Sequence, residues 1–95
     1  MSYDALIDAL SGYIETGPDG AVRHYNSSGK LHRTDGPAVE TARGLQAWYR
    51  NGVCHRTEGP AKIYSIGYKE WFLNGQRMSS QEFSRRISAG DCLEP

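Results

Sequence analysis

Short runs of alternating apolar and polar residues fill positions 20–78 and are separated by glycine-containing pairs at regular distances. The run LQAWYR at 45–50 is followed by Asn51-Gly52 and then by VCHRT at 53–57. Asn-Gly between two alternating runs is a strong signal for two antiparallel strands joined by a two-residue turn. The pattern therefore predicts a β-hairpin centred on Asn51 and Gly52.

The predicted turns also fix which residues face each other, since directly opposed residues share a face of the sheet. The pairs expected around the first Asn-Gly are Arg50 with Val53, Tyr49 with Cys54, and Trp48 with His55. A second Asn-Gly pair at 74–75 places Trp71 opposite Met78 in the same way. In the region before these two hairpins, the longer loop NSSG brings His24 towards His32.

The pattern repeats with a period of 23 residues. The heptapeptide His-Arg-Thr-(Asp/Glu)-Gly-Pro-Ala stands at 32–38 and again at 55–61. Within this heptapeptide, His32, Gly36 and Pro37 recur as His55, Gly59 and Pro60. Outside it, Trp48 and Gly52 recur as Trp71 and Gly75, again 23 residues later. An earlier unit begins at Gly20 with one extra residue. A fixed period indicates a repeat architecture, so we expect three units over 20–78 whose recurring residues hold the structure together.

The segments on either side of the repeats have helical patterns. SYDALIDALSG predicts an N-terminal helix over 2–12, and MSSQEFSRRISAG predicts a C-terminal helix over 79–90 with Ser79 as N-cap. The whole chain, 1–95, is expected to form one domain. Its fold class is mostly β (α+β), an antiparallel sheet of three tandem 23-residue hairpins covered by a short helix at each end. We expect about 40–50 % strand, above the share in an average domain.

These residues also carry a resemblance to a known repeat. The combination Gly-x-x-x-Trp-(Tyr/Phe)-x-Asn-Gly-x-x-His, at 44–55, resembles the MORN repeat, whose units are glycine-punctuated hairpins of similar length. The HRx(D/E)GPA ending is similar to a variant found in tandem in small phage and large-virus proteins. The chain departs from the standard MORN unit at Arg33 and Arg56, where a second glycine usually follows the histidine. The resemblance implies a tandem-hairpin fold and a phage or prophage origin.

Charge is unevenly distributed in a chain whose formal net charge is zero. The first twenty residues hold four acids and no Lys or Arg, namely Asp4, Asp8, Glu15 and Asp19. These acids either neutralise the basic remainder of the chain or form a surface for a partner. Within the repeats, Arg33 and Asp35, like Arg56 and Glu58, lie two residues apart and are predicted to form repeating ion pairs.

Residue types that support catalysis or metal binding are present, but their spacing favours structural roles. The spacings C-x-x-C and H-x-x-x-H of a zinc site do not occur, and adjacent Cys54 and His55 point to opposite faces of a strand. Repeated His32 and His55 indicate histidines stacked on Trp or on each other rather than acid–base catalysts. Cys54 is expected to pack under a hairpin, and Cys92 to be a reduced thiol. We therefore expect no enzyme activity, no metal and no cofactor.

The resulting functional hypothesis is a small protein-binding module that blocks the surface of a host protein, for example in restriction or CRISPR defence. This is what the resemblance to small phage proteins implies. The residues predicted to contact a partner are Asp4, Asp8, Glu15, Asp19, Arg33, Arg50, Arg56 and Tyr49.

Two alternatives stay open, and the oligomeric state is undetermined by the sequence. Basic residues interleaved with Tyr and Trp support a nucleic-acid-binding accessory protein. A membrane-associated MORN-type scaffold is the other. The start of the chain has acids where a secretory signal has basic residues, and no apolar run reaches membrane-spanning length. We therefore expect a cytoplasmic location, in the host cell if phage encoded, and no membrane contact.

Overall fold

The computed structural model describes residues 12–90, in which nine short strands precede one helix. Their bounds are β1 Tyr13–Thr16, β2 Val22–Tyr25, β3 Val39–Glu40, β4 Gln46–Ala47, β5 Tyr49–Arg50, β6 Val53–Cys54, β7 Lys62–Ile63, β8 Lys69–Leu73, β9 Gln76–Met78 and the C-terminal helix Ser80–Ser88. The prediction of a mostly β chain with a C-terminal helix is confirmed. The helix predicted over 2–12 lies, except for its last residue, outside the described residues.

Seven of these strands form one antiparallel sheet in the order β1-β2-β3-β4-β7-β8-β9. The hairpin β5–β6 is a separate two-stranded sheet between β4 and β7 in the chain. Only Trp48 separates β4 from β5. Residues 46–50 therefore form one extended segment. Its first part, β4, belongs to the large sheet, and its second part, β5, pairs with β6.

Both Asn-Gly pairs form the predicted turns. Asn51 and Asn74 each have φ of 51°, and Gly52 and Gly75 each have φ of 83°. Positive φ at both central residues is the geometry of a type I′ turn, which favours Asn followed by Gly. The confirmed pairs are Arg50 with Val53, Tyr49 with Cys54, and Trp71 with Met78.

Backbone hydrogen bonds join each of these turns to the preceding unit. The amide of Gly52 donates to the carbonyl of Leu31 at 2.7 Å, and the amide of Gly75 donates to the carbonyl of Cys54 at 2.8 Å. Leu31 and Cys54 are themselves 23 residues apart. Each Asn-Gly turn is therefore hydrogen-bonded to the residue 21 positions before its glycine.

Small side chains make up most of the core. The buried apolar residues of the described part are Ala21, Ala38, Ala47, Cys54, Ala61, Leu73 and Phe83. Ala38 and Ala61, which end the two heptapeptides, are 0 % exposed, and their amides donate to the carbonyls of Ala47 and Glu70. Larger side chains at these two positions would force the neighbouring strand outward, because interiors are close-packed.

The C-terminal helix begins where the sequence predicts. Ser79 is the N-cap, and its Oγ accepts a hydrogen bond from the amide of Glu82 at 3.1 Å. Glu82 accepts from Arg85 and Arg86 within the same helix. Phe83 is its buried residue and anchors the helix beside the sheet.

Two features differ from the predictions. The strands hold 26 of the 79 described residues, a third instead of the expected share of about 40–50 %. The reason is that the HRT(D/E)GP segments are irregular loops, since Gly-Pro does not sustain a strand ladder. The second difference is β1, which was not predicted and pairs with β2 from Tyr13 opposite Tyr25 to Thr16 opposite Val22.

Candidate functional site

The two repeated histidines bind the backbone of the following hairpin. His32 Nδ1 accepts a hydrogen bond from the amide of Asn51 at 3.0 Å, and His55 Nδ1 accepts one from the amide of Asn74 at 2.8 Å. An unprotonated Nδ1 is a good acceptor for such a turn amide. Both histidines therefore have a structural role through these hydrogen bonds.

The loops that follow these histidines are closed by their arginines. Arg33 Nη1 donates to the carbonyl of Pro37 at 3.1 Å, and Arg56 Nη1 donates to the carbonyl of Pro60 at 3.1 Å. The same bond thus shapes both copies of the heptapeptide. We call these segments, 33–37 and 56–60, the repeated loops.

In the first repeated loop, Arg33 is also neutralised by carboxylates of the chain. Its Nε donates to Asp35 Oδ1 at 2.9 Å, and its Nη1 donates to Glu40 Oε1 at 3.4 Å. The hydrogen bond and the charge of Arg33 hold the pKa of Asp35 below its usual range. Burial, and then the Arg33 guanidinium, lower the pKa of His24. His24 is consequently neutral at pH 7, and its Nε2 lies 3.2 Å from Arg33 Nη1 as an acceptor.

In the second repeated loop, Arg56 has different surroundings. Its guanidinium carbon lies 3.8 Å from the ring centroid of Trp48, so the cation stacks on the indole face. Among the described residues, no carboxylate forms an ion pair with Arg56. The prediction of repeating ion pairs is right for Arg33 with Asp35 and wrong for Arg56 with Glu58. The Trp48 ring and the Pro60 carbonyl hold the guanidinium instead.

The two repeated loops enclose a cavity of about 310 Å³, which we call the arginine groove. Its walls are residues 33–36 and 55–58, together with Trp48 and Arg50 from the segment between the loops. Three arginines and two carboxylates line it, and a further carboxylate, that of Glu40, pairs with Arg33.

The arginine groove brings together three of the residues predicted to contact a partner. Arg33, Arg50 and Arg56 all line it. Tyr49 lies in β5 between Trp48 and Arg50 but does not line the groove.

Of the acidic residues predicted for partner contact, the two that the structure describes, Glu15 and Asp19, do not line this groove. Glu15 is exposed in β1 and accepts a hydrogen bond from the Tyr25 hydroxyl at 3.4 Å. Asp19 accepts from the amide of Ala21 at 3.1 Å, in the turn between β1 and β2. Asp4 and Asp8 lie outside the described residues.

The cysteine of the second hairpin has the environment of a packing residue. Cys54 is buried in β6, and burial raises the pKa of its thiol to about 11. Cys92 lies outside the described residues. Over positions 12–90, no group of three or more His, Cys, Asp or Glu side chains is arranged to hold a metal ion.

Four residues of the groove were missed by the sequence analysis as site residues. They are Thr34, Asp35, Thr57 and Glu58. The available signal was the heptapeptide itself, because its His, Arg, Pro and Ala positions have internal hydrogen bonds while its Thr-(Asp/Glu) pair faces the groove. Of the repeated heptapeptide, the sequence analysis assigned only the arginines to partner contact, although the Thr-(Asp/Glu) pair also lines the groove.

In comparisons with protein-family models, curated proteins and solved structures, nothing matches the chain. The helix in the described part of the chain is too short and too polar to cross a membrane.

Proposed function

We propose that the protein is a non-enzymatic protein-binding module built from three tandem 23-residue MORN-like hairpin units. The observation that carries the proposal is the arginine groove, an open polar recess held between two loops of the same sequence. Support for the units comes from bonds that recur at the same spacing. The two histidine-to-turn bonds and the two arginine-to-proline bonds each repeat after 23 residues.

We favour a binding role over catalysis for the groove, because two of its ionisable groups, His55 and Asp35, are engaged by the fold. His55 Nδ1 is occupied by the Asn74 amide, and Asp35 is held by Arg33. A general base must be free to take a proton from a substrate at working pH. We propose rigid recognition of a partner surface as the use of this site.

The mode of action we propose is occlusion of a host protein by a phage- or prophage-encoded partner. The support is the resemblance of the HRx(D/E)GPA units to those of small phage proteins. A component of restriction or CRISPR defence is the example we favour, because such machinery is inhibited when one working surface is covered.

A nucleic-acid-binding accessory protein is the second candidate. The observation in its favour is that Arg33, Arg50 and Arg56 lie together around Trp48. Arginines beside an aromatic ring also bind phosphates and stack on bases.

The experiment is affinity capture from lysate of the candidate host, with and without nuclease treatment. A protein-binding module retains a discrete protein at near-stoichiometric amount after nuclease treatment. Capture that disappears with nuclease, and falls steeply between 50 and 200 mM salt, would favour the second candidate. Reconstitution with the purified captured protein then measures whether its activity is blocked.

A further inference from the structure

We propose that the arginine groove receives a carboxylate side chain from an acidic segment of a partner protein, and that Arg56 is the residue that binds it. The inference rests on the proposed function and names the chemistry of that same site.

The two repeated loops differ in how the charge of their arginine is balanced. Arg33 pairs with Asp35 and Glu40. The position equivalent to Glu40, 23 residues later, is Ile63. Arg56 therefore lacks the second acid by sequence, and its first acid, Glu58, forms no ion pair with it among the described residues. The arginine of the first repeated loop is therefore neutralised within the chain. The arginine of the second, Arg56, lines the groove without an ion pair among the described residues.

The Arg56 guanidinium is oriented for a carboxylate. The Trp48 ring centroid lies 3.8 Å from its guanidinium carbon, and one of its N–H groups donates to the Pro60 carbonyl, so two contacts position the guanidinium. An arginine has five N–H donors in one plane, so a stacked guanidinium keeps an edge for two parallel hydrogen bonds to a carboxylate. The hydroxyl of Thr57, in the same wall, is an additional donor.

The other groups of the groove favour an acidic side chain over a nucleic-acid backbone. Asp35 and Glu58 are exposed on its two walls and repel a continuous row of phosphates. The formal net charge of the whole chain is zero. Affinity for DNA or RNA grows with the number of phosphates neutralised, whereas a single carboxylate needs one arginine.

The test uses a blocked acidic peptide and its neutral counterpart. The full chain, labelled with ¹⁵N, is titrated with Ac-GEEGEG-NH₂, with Ac-GQQGQG-NH₂ and with a twelve-nucleotide oligothymidine. We expect the Glu peptide to shift the Arg56 Nε–H and Trp48 indole N–H resonances in a saturable manner. We expect the Gln peptide to bind at least about tenfold more weakly, because a charge-assisted bidentate pair is lost.

Matched arginine variants then locate the interaction. R56Q should weaken binding of the Glu peptide at least about tenfold, and R56K should be intermediate because it keeps the charge but not the planar fork. R43Q, which removes an arginine from an exposed turn outside the groove, is the control and should stay within about threefold of the parent. Each variant's melting temperature is recorded, and the Glu-against-Gln comparison on the unmodified chain does not depend on any variant folding.

Three outcomes of the titrations overturn the inference. They are equal binding of the Glu and Gln peptides, equal loss in R56Q and R43Q, and oligothymidine binding that is tighter than the peptide and depends on Arg56. If the captured host protein binds the R56Q chain as well as the parent, the protein-binding function stands and this inference fails. If the Glu peptide binds through Arg56 but no host protein is captured, the proposed function fails and the carboxylate site stands.

Discussion

At the scale of single residues, positions 32 and 55 each supply a hydrogen-bond acceptor for the turn of the next hairpin. His55 is 3 % exposed and its bond to the Asn74 amide is part-buried, so its loss leaves this turn amide without its acceptor and removes a buried ring beside it. We expect H55A to lower the free energy of unfolding by about 1–3 kcal/mol, the usual cost of an unsatisfied buried donor. H32A should cost less, about 0.5–1.5 kcal/mol, because its bond is exposed to solvent.

Urea unfolding of both variants measures this difference. H55N is the matched control, since Asn Oδ1 is an acceptor at a similar distance from the backbone as His Nδ1. It should recover part of the stability that H55A loses. Equal losses in H55A and H55N would mean that packing, and not the hydrogen bond, explains the repeated histidine.

The thiol of Cys54 offers a second test at the residue scale. Its pKa is raised by burial from 9.0 to about 11, and the thiolate is the reactive form. At pH 8 its thiolate fraction is about a hundredfold below that of an ordinary cysteine. A C92S chain leaves Cys54 as its one thiol. We expect this thiol to react with a disulfide reagent at least about a hundredfold more slowly in the folded chain than in the urea-unfolded chain. A folded rate equal to the unfolded rate would show that the hairpin does not bury the thiol.

At the scale of elements, the C-terminal helix carries a pH-sensitive contact. Arg85 and Arg86 hydrogen-bond to Glu82 and lower the pKa of its carboxyl from 4.5 to about 2. Because the folded-state pKa is lowered, the contribution of the contact is fully present above pH 4.5 and is lost as the pH falls towards 2.

An NMR titration of the Glu82 side-chain carboxyl carbon measures this pKa. We expect a midpoint near pH 2 in the parent chain and one close to an ordinary glutamate in the double variant R85Q/R86Q. R77Q, which removes an arginine outside the helix, is the control and should leave the midpoint in place. An unchanged midpoint in the double variant would show that the arginines are not the cause.

The hairpins were predictable because their signals are local. Asn-Gly specifies a type I′ turn, and the turn sets the register of both strands. β1 was missed because all four of its residues are exposed, so it lacks the apolar alternation of a half-buried strand. A weaker signal for β1 existed in the sequence. The pair Glu15-Thr16 precedes the turn that ends at Gly20, just as Glu40-Thr41 precedes the turn that ends at Gly44.

The arginine groove was predictable only in part, because its charge depends on which neighbour the Arg56 side chain contacts. The sequence indicates Arg33 and Arg56 as equivalent, and the pairing of Arg33 with Asp35 follows from their spacing. Whether Arg56 pairs with Glu58 or stacks on Trp48 is a choice between contacts that each contribute about 1 kcal/mol or less. In the structure, Arg56 lies over the Trp48 ring. The spacing of residues in the sequence does not indicate which of two contacts of similar strength will form.

At the scale of the whole molecule, the hydrogen bonds that recur after 23 residues imply that 23 residues can be deleted. The remaining residues then have equivalent partners at the same separations. Deleting residues 39–61 joins Ala38 to Lys62, the residue that follows the equivalent Ala61. His32 then stands 19 positions before Asn74, the separation it now has from Asn51. Units of a repeat array contact mainly their neighbours, so the shortened chain retains each type of interface.

We expect the 23-residue deletion to retain a β-type circular dichroism spectrum and a cooperative thermal transition, at a lower melting temperature than the parent because a smaller chain buries less surface. The matched control deletes residues 39–58, which removes three residues fewer and joins Ala38 to Gly59. This shift breaks the separation between His32 and the Asn74 turn, so the control should lose its cooperative transition. Equal behaviour of the two chains, whether both fold or neither does, would contradict a fold organised by the 23-residue period.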